Sequence, residues 1–407
     1  MVLRQAGDLQ VRELGDALSA TAIQPGEEAV ARRPRVLPDP LLILAAVGLV
    51  ACSLLTLNGA TRKAVPGHPL FYVERQAVYA GMGLLIVLLL SRVDYSRLRE
   101  YKWGLFAVMV ALNLVVYGMP PIQGARRWIP LGVMQFQSSE FGKLLIIVAL
   151  GAFAVDRSRR LHERRTTARI MLLALLPALI VIPQPDLGTG MVYVAVGFSI
   201  LFFAGTSFKQ LTGLVAMFLA AVAIVLAGAP ALGVHLLKPY QQERLTGFLN
   251  PSRDPGNQTY QISESLIAIG SGQKTGRGSN ATQTKLNFLP ANDTDFVFAA
   301  VGETYGFVGA AIVLSLYALL IWRTLRILTM SKNLYGTLIA GGILAMLMFQ
   351  VFVNVGMTIG VMPITGVPLP LMSYGGSSVI VTFLAIGLLQ SIYVQARVAS
   401  AGKGRPR

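Results

Sequence analysis

The sequence predicts an all-α polytopic membrane protein with about ten transmembrane helices. One long extracytoplasmic loop is expected between helices seven and eight. Three observations predict this. Hydrophobic residues make up 54% of the 407, and charged residues only 13%, against about 25% charged in an ordinary soluble domain. The mean hydropathy is +0.60. Apolar runs near the bilayer-spanning length of about 20 residues recur along most of the chain. A soluble enzyme, a disordered protein and a disulfide scaffold are thereby excluded. Cys52 is the single cysteine, so no intrachain disulfide can form.

Residues 1–38 are polar, with Arg4, Arg12, Arg32, Arg33 and Arg35 mixed with acids. No early apolar stretch reads as a signal peptide, so a disordered cytoplasmic tail is expected. Spans are then expected at 40–60, 71–91, 102–119, 139–155, 169–184, 187–204, 208–229, 296–322, 335–356 and 377–396. The fifth and sixth are separated only by Gln184, Pro185 and Asp186, which makes a tight hairpin. The Gly- and Pro-rich stretch 360–372 is apolar but broken, as in a re-entrant loop buried against protein. A single membrane domain thus covers 39–397, and a short basic cytoplasmic tail covers 398–407.

Orientation follows from Lys and Arg. With the N-terminus inside, the inside segments carry 23 of the 35 and the outside segments 10. The remaining two, Arg75 and Lys143, fall within spans. Both termini are therefore expected in the cytoplasm. The long loop, about 230–295, is expected outside. The formal charge of +16 is read as this orientation signal rather than as nucleic-acid binding.

Ionisable groups inside a membrane are costly, so they mark candidate sites. Glu140 and Lys143 lie three apart on one helical face, either as a self-neutralising pair or as the wall of an aqueous cavity. Arg75 snorkels or binds a ligand. Asp186 starts a helix, where an acid often serves only as a cap. Asp293 and Asp295 stand where the long loop re-enters the membrane. Thr294 or Asp295 could cap the next helix. Alternatively, Asp295, partly desolvated beside the apolar run from Phe296, becomes a better proton acceptor. Glu303 lies about two turns deeper on roughly the same face.

In the outer loop, 260–270 has the pattern of a short amphipathic helix lying on the membrane. Arg244, Arg253, Lys274, Arg277 and Lys285 supply dispersed positive charge suited to a phosphate-bearing lipid headgroup. GSGQKTGRG is not a Walker loop, because Gln273 precedes the lysine where glycine is needed. It reads as a turn or a flexible element near a substrate. His68, His162 and His235 are dispersed, so no zinc site is expected. Two function classes fit these residues. One is a transporter or flippase with charges lining a passage. The other is an enzyme in which a carboxylate deprotonates a hydroxyl on a lipid-linked substrate while cations hold its pyrophosphate.

Several stretches resemble the SEDS family (shape, elongation, division, sporulation), the bacterial RodA/FtsW cell-wall polymerases. They are GARRWIPLGVMQFQSSEFGK (124–143), QPDLGTG (184–190), Tyr240 with Arg244, NPSRDP (250–255), YQISES with AIGSG, FLPANDTDF, and NVGMTIGVMPITGVPLPLMSYGGSS (354–378). They occur in family order across residues 40–396. The last stretch, with ATQTKLNFLP, is closer to the RodA (elongation) branch than to FtsW.

The resemblance implies a peptidoglycan glycosyltransferase that polymerises lipid II at the outer face of the bacterial cytoplasmic membrane during elongation. The transfer would invert the donor's anomeric centre, and undecaprenyl pyrophosphate would leave. The family's essential aspartate falls on Asp295, the implied general base. Glu140 and Lys143 match a family pair. Arg244 and Asp186 match positions that could orient substrate. Arg126, Arg127 and Trp128 lie in a matching loop near the donor pyrophosphate, and Arg75 and Lys285 complete the substrate-binding candidates. No organic cofactor is implied, and a divalent cation, Mg²⁺ or Mn²⁺, has room in the scheme. A class B penicillin-binding protein would supply crosslinking beside other elongation-machinery membrane proteins. A lipid II flippase, or an FtsW-like division or sporulation paralogue, is the alternative. The sequence departs from the family pattern at Ser138, Thr259, Glu264, Gln273, Asp293 and Thr304, which leaves Asp295 intact.

Overall fold

The computed structural model describes residues 37–61, 67–122, 125–131, 134–231, 244, 248, 257–286 and 288–403. The expected N-terminal tail, Tyr240, Arg253 and residues 404–407 lie outside them. Leu37–Arg397 make one compact unit; of the second unit, the described part is Val398–Lys403, the end of the last helix.

Each expected span is met by a helix. They are α1 (Pro40–Ala60), α2 (Phe71–Leu90), α3 (Lys102–Val115), α4 (Ser138–Asp156), α5 (Arg164–Val181), α6 (Leu187–Phe203) and α7 (Phe208–Ala223). After the long-loop helix α8 (Asn257–Gly272) come α9 (Val297–Met330), α10 (Leu334–Thr358) and α11 (Gly376–Lys403). Among the described residues, 7 helices are long and apolar enough to cross a membrane. α3 and α6 are apolar but shorter. In α5 the arginines Arg164, Arg165 and Arg169 lower the hydropathy of the first turns. The protein is a multi-pass membrane protein of the all-helical class.

α4, α6 and α10 pack against one another at the centre. Small residues let them approach. A Cβ on Gly142 would lie 2.0 Å from the Tyr193 hydroxyl, and one on Gly342 would lie 2.8 Å from Ile147. α11 is also mostly buried, whereas α7 buries only Leu211. Asp39 caps α1, accepting from the backbone N–H of Leu41 at 3.1 Å. Its carboxylate also takes the Arg323 guanidinium from α9, and its backbone exchanges two hydrogen bonds with the Gln390 amide of α11. A fully buried carboxylate persists here because it is paired and hydrogen-bonded.

Residues 359–375 run back as irregular chain between α10 and α11, with Leu369, Leu371 and Met372 fully buried. Non-helical backbone at this depth must find partners inside the protein. Ser53 donates to the Met372 carbonyl at 2.7 Å, Tyr317 to Pro370 at 2.5 Å and Gln76 to Ser373 at 3.2 Å.

Three features depart from the sequence expectations. α9 extends to Met330 and breaks at Gly306, where φ is +67°. The break orphans backbone groups on both sides, and the GSGQKTGRG stretch satisfies them. The carbonyls of Gln273 and Lys274 accept from Phe307 (2.8 Å) and Val308 (3.1 Å), while Arg277 N–H donates to Glu303 at 2.8 Å. That glycine-rich run is a helix-capping turn. α8 spans 257–272, longer than expected, and buries Ile262 and Ala268 against Leu289, Phe296 and Met357 while Leu266 and Ile267 stay exposed. Finally, a β-hairpin, β1 (Trp128–Leu131) with β2 (Met134–Gln137), interrupts an otherwise helical chain.

Candidate active site

The segment Asp293-Thr294-Asp295 enters α9 with its backbone fixed at three successive carbonyls. Asp293 accepts from Tyr374 N–H at 2.8 Å, Thr294 from the Ser373 hydroxyl at 2.6 Å, and Asp295 from the Asn354 amide at 2.9 Å. The side chains are not used to start the helix. The N-cap of α9 is Phe296, with no side-chain cap hydrogen bond. Among the described residues, none donates a hydrogen bond to the Asp295 carboxylate. Gly366, at φ +71°, faces it, and a Cβ there would lie 3.5 Å from Oδ2, in ordinary contact.

Burial raises the Asp295 carboxyl above its usual 3.8. The Arg127 and Arg244 guanidinium groups pull it back down, and Asp293 and Asp186 push it up. Burial also raises Asp293. These groups are close enough to act on one another although they come from four separated stretches of chain. The Nε atoms of both Arg127 and Arg244 are buried without a hydrogen-bond partner. Arg127 stacks over the Trp128 ring at 4.2 Å.

The hairpin that carries Arg127 and Trp128 is held at its base by Gln137. The Gln137 backbone donates to Ser377 at 3.0 Å, and its amide donates to Asp186 at 3.0 Å. Asp186 is held by three donors. It also accepts from the Ser139 hydroxyl at 2.7 Å and from Thr189 N–H at 3.2 Å, capping α6. Glu140 and Lys143 form a closed pair at 2.6 Å, with side chains 2% and 1% exposed.

The other candidates lie apart from Asp295 or are engaged elsewhere. Arg126 is exposed and donates to the Tyr117 carbonyl at 3.2 Å. Arg75 lies over the Phe71 ring at 4.4 Å and reaches Tyr374. Lys285 donates to the Ser279 carbonyl at 2.7 Å. It lines a separate cleft of about 430 Å³ with Leu55, Asn58, Thr304 and Tyr305. The fully buried Glu303 carboxylate accepts from Gln283 N–H (2.9 Å), Thr284 N–H (2.8 Å) and the Thr284 hydroxyl (2.5 Å), anchoring the turn Thr282–Lys285. Asn292 donates to the Thr284 carbonyl at 2.9 Å and braces that same anchor.

Sequence reasoning missed Asn354 and Gly366, which border Asp295, although both lie in a stretch it had singled out. Among the described residues, no three His, Cys, Asp or Glu side chains gather as a metal cluster.

Residues 36–398 match the model of the cell cycle protein family that groups FtsW, RodA and SpoVE. The chain belongs to this family. It is 35% identical over 364 residues to the peptidoglycan glycosyltransferase MrdB of Escherichia coli (strain K12), covering 89% of this chain and 95% of that one. Among solved structures, a chain from a study of polymerization and crosslinking by a peptidoglycan synthase complex superposes with a TM-score of 0.74 at 33% identity, covering 89% and 99%. The rod shape determining protein RodA of Thermus thermophilus superposes at 0.62 with 29% identity, covering 89% and 98%.

Proposed function

We propose that this family member is a peptidoglycan glycosyltransferase of the RodA type, polymerising lipid II at the outer face of the cytoplasmic membrane with both termini inside. The observation that carries the catalytic assignment is the state of the carboxylates. Asp186 accepts from three donors, Glu303 from three, and Glu140 pairs with a lysine. Asp295 has its backbone pinned and its carboxylate unspent. Among the described residues Asp293 takes no side-chain donor either, but the charges of Arg127 and Arg244, whose Nε atoms are unpaired, act on Asp295.

The chemistry follows from that arrangement. The acceptor sugar's 4-hydroxyl oxygen forms a bond to the donor's anomeric carbon. Its proton passes to the Asp295 carboxylate. The bond from the anomeric carbon to the pyrophosphate oxygen breaks, and that oxygen keeps the electron pair. Arg127 and Arg244 hold the developing negative charge of the undecaprenyl pyrophosphate. Attack opposite the leaving group inverts the centre without a covalent enzyme intermediate. Asp186 and the Glu140–Lys143 pair hold the hairpin and the helix starts from behind. A class B penicillin-binding protein is the fitting crosslinking partner, given the assembly in which the structural neighbour is found.

Purified protein given lipid II, with and without the transpeptidase, is expected to make glycan strands resolvable on a gel. Movement of lipid II across liposomes with no strand formation would instead support a flippase.

A further inference from the structure

Resting on the general-base reading of Asp295, we propose that Asn354 is the positioning residue that holds this carboxylate in register with its surroundings. Asn354 lies in the last turns of α10 and is fully buried. Its Nδ2 group uses both hydrogens. One goes to the Asp295 carbonyl at 2.9 Å, the other to the Val367 carbonyl at 2.8 Å. Val367 follows Gly366, the glycine that faces Asp295 Oδ2. One amide thus ties the chain that carries the carboxylate to the chain that walls it in. The distance between the two is set from a rigid helix.

The chemistry of the side chain fits this purpose and little else. Asn354 Oδ1 is buried with no hydrogen-bond partner. A buried acceptor left unpaired is unfavourable, so the amide is retained for its two donors. A carboxylate at this position would face two carbonyl oxygens with at most one proton to give. Leucine has nearly the same size and no donor. Glutamine would displace the NH₂ by one methylene. The other carbonyls of the segment are bonded from 373 and 374, so losing Asn354 releases Asp295 alone of the three.

The test compares wild type, Asn354→Leu, Asp295→Asn and the double variant, each purified in detergent and monodisperse, in lipid II polymerisation. Asn354→Leu is expected to lower kcat by about 10²-fold, the scale of a misplaced reacting group, with KM near wild type. In the Asp295→Asn background it is expected to cause no further loss, because there is no longer a base to misplace. A wild-type kcat for Asn354→Leu, a change in KM alone, or an equal further loss in the Asp295→Asn background would each overturn the proposal. Asn354→Ser, which keeps one donor, replaces the leucine variant if that fails to fold. If neither folds, the residue is structural and the proposal falls. A wild-type rate for Asp295→Asn sinks the general-base reading itself, whereas an inactive Asp295→Asn beside a fully active Asn354→Leu sinks only the positioning role.

Discussion

Asp295→Asn is expected to cut the rate of lipid II polymerisation by about 10²- to 10⁴-fold, the usual contribution of a positioned general base. Asparagine keeps the volume and removes the proton acceptor. It disturbs no cap, because α9 begins at Phe296 without side-chain help, and the Asn354 bond goes to the backbone carbonyl. Thermal stability in detergent is therefore expected to stay near wild type, and lipid II binding is expected to persist through Arg127 and Arg244. Initial rates and a binding isotherm on the same preparation separate these effects. Loss of binding in parallel with rate would assign Asp295 to substrate retention instead.

The second large effect concerns stability. Lys143→Met leaves Glu140 as an unpaired carboxylate, 2% exposed, at the start of the largely buried helix α4. Breaking a buried pair by removing one partner costs about 3–5 kcal/mol, because the remaining charge stays desolvated. The double variant Glu140→Gln with Lys143→Met removes both charges and is expected to recover most of that loss. Denaturation midpoints of the single and double variants check this. If Lys143→Met retains wild-type stability yet abolishes polymerisation, the lysine contacts substrate and the pair is opened during turnover. The geometry favours the structural role, since the pair is closed and Tyr193 and Gly142 pack directly beside it.

The helices were legible because composition alone carries them: a span needs an apolar run, and each of the ten runs became a helix. The broken stretch at 360–372 was legible for the same reason, since glycines and prolines in an apolar context demand buried, irregular backbone. The Asp295 region was visible as acids at the edge of an apolar run. Long-range pairing was not visible. Asp39 and Arg323 are 284 residues apart, and nothing local says that a basic residue near the end of one span meets the cap of another. The partners of Glu303 were not visible either, because helical periodicity fixes a face but not what the long loop brings to it. The turn at Gly306 defeated the expectation of a continuous helix, because one glycine is common inside a span and its left-handed φ depends on the carbonyls of Gln273 and Lys274 arriving from elsewhere. The hairpin had only half a signal: MQFQ alternates, but WIPL is apolar throughout and carries a proline. Its shortness hid it between two helices.

General-base chemistry at Asp295 predicts a particular pH profile. The carboxylate must be ionised to accept the proton, so kcat/KM is high above its pKa and falls as pH drops through it. Burial places that limb above the ordinary carboxylate value of 3.8, and the Arg127 charge holds it down. The most direct measurement is therefore the acid limb of kcat/KM for wild type beside Arg127→Met. Removing the cation lowers the plateau through weaker pyrophosphate binding, but it also raises the pKa of Asp295, so the limb is expected to move to higher pH. A limb that stays where it is in Arg127→Met, or a flat profile across the acidic range in which the protein remains folded, would contradict proton transfer to Asp295.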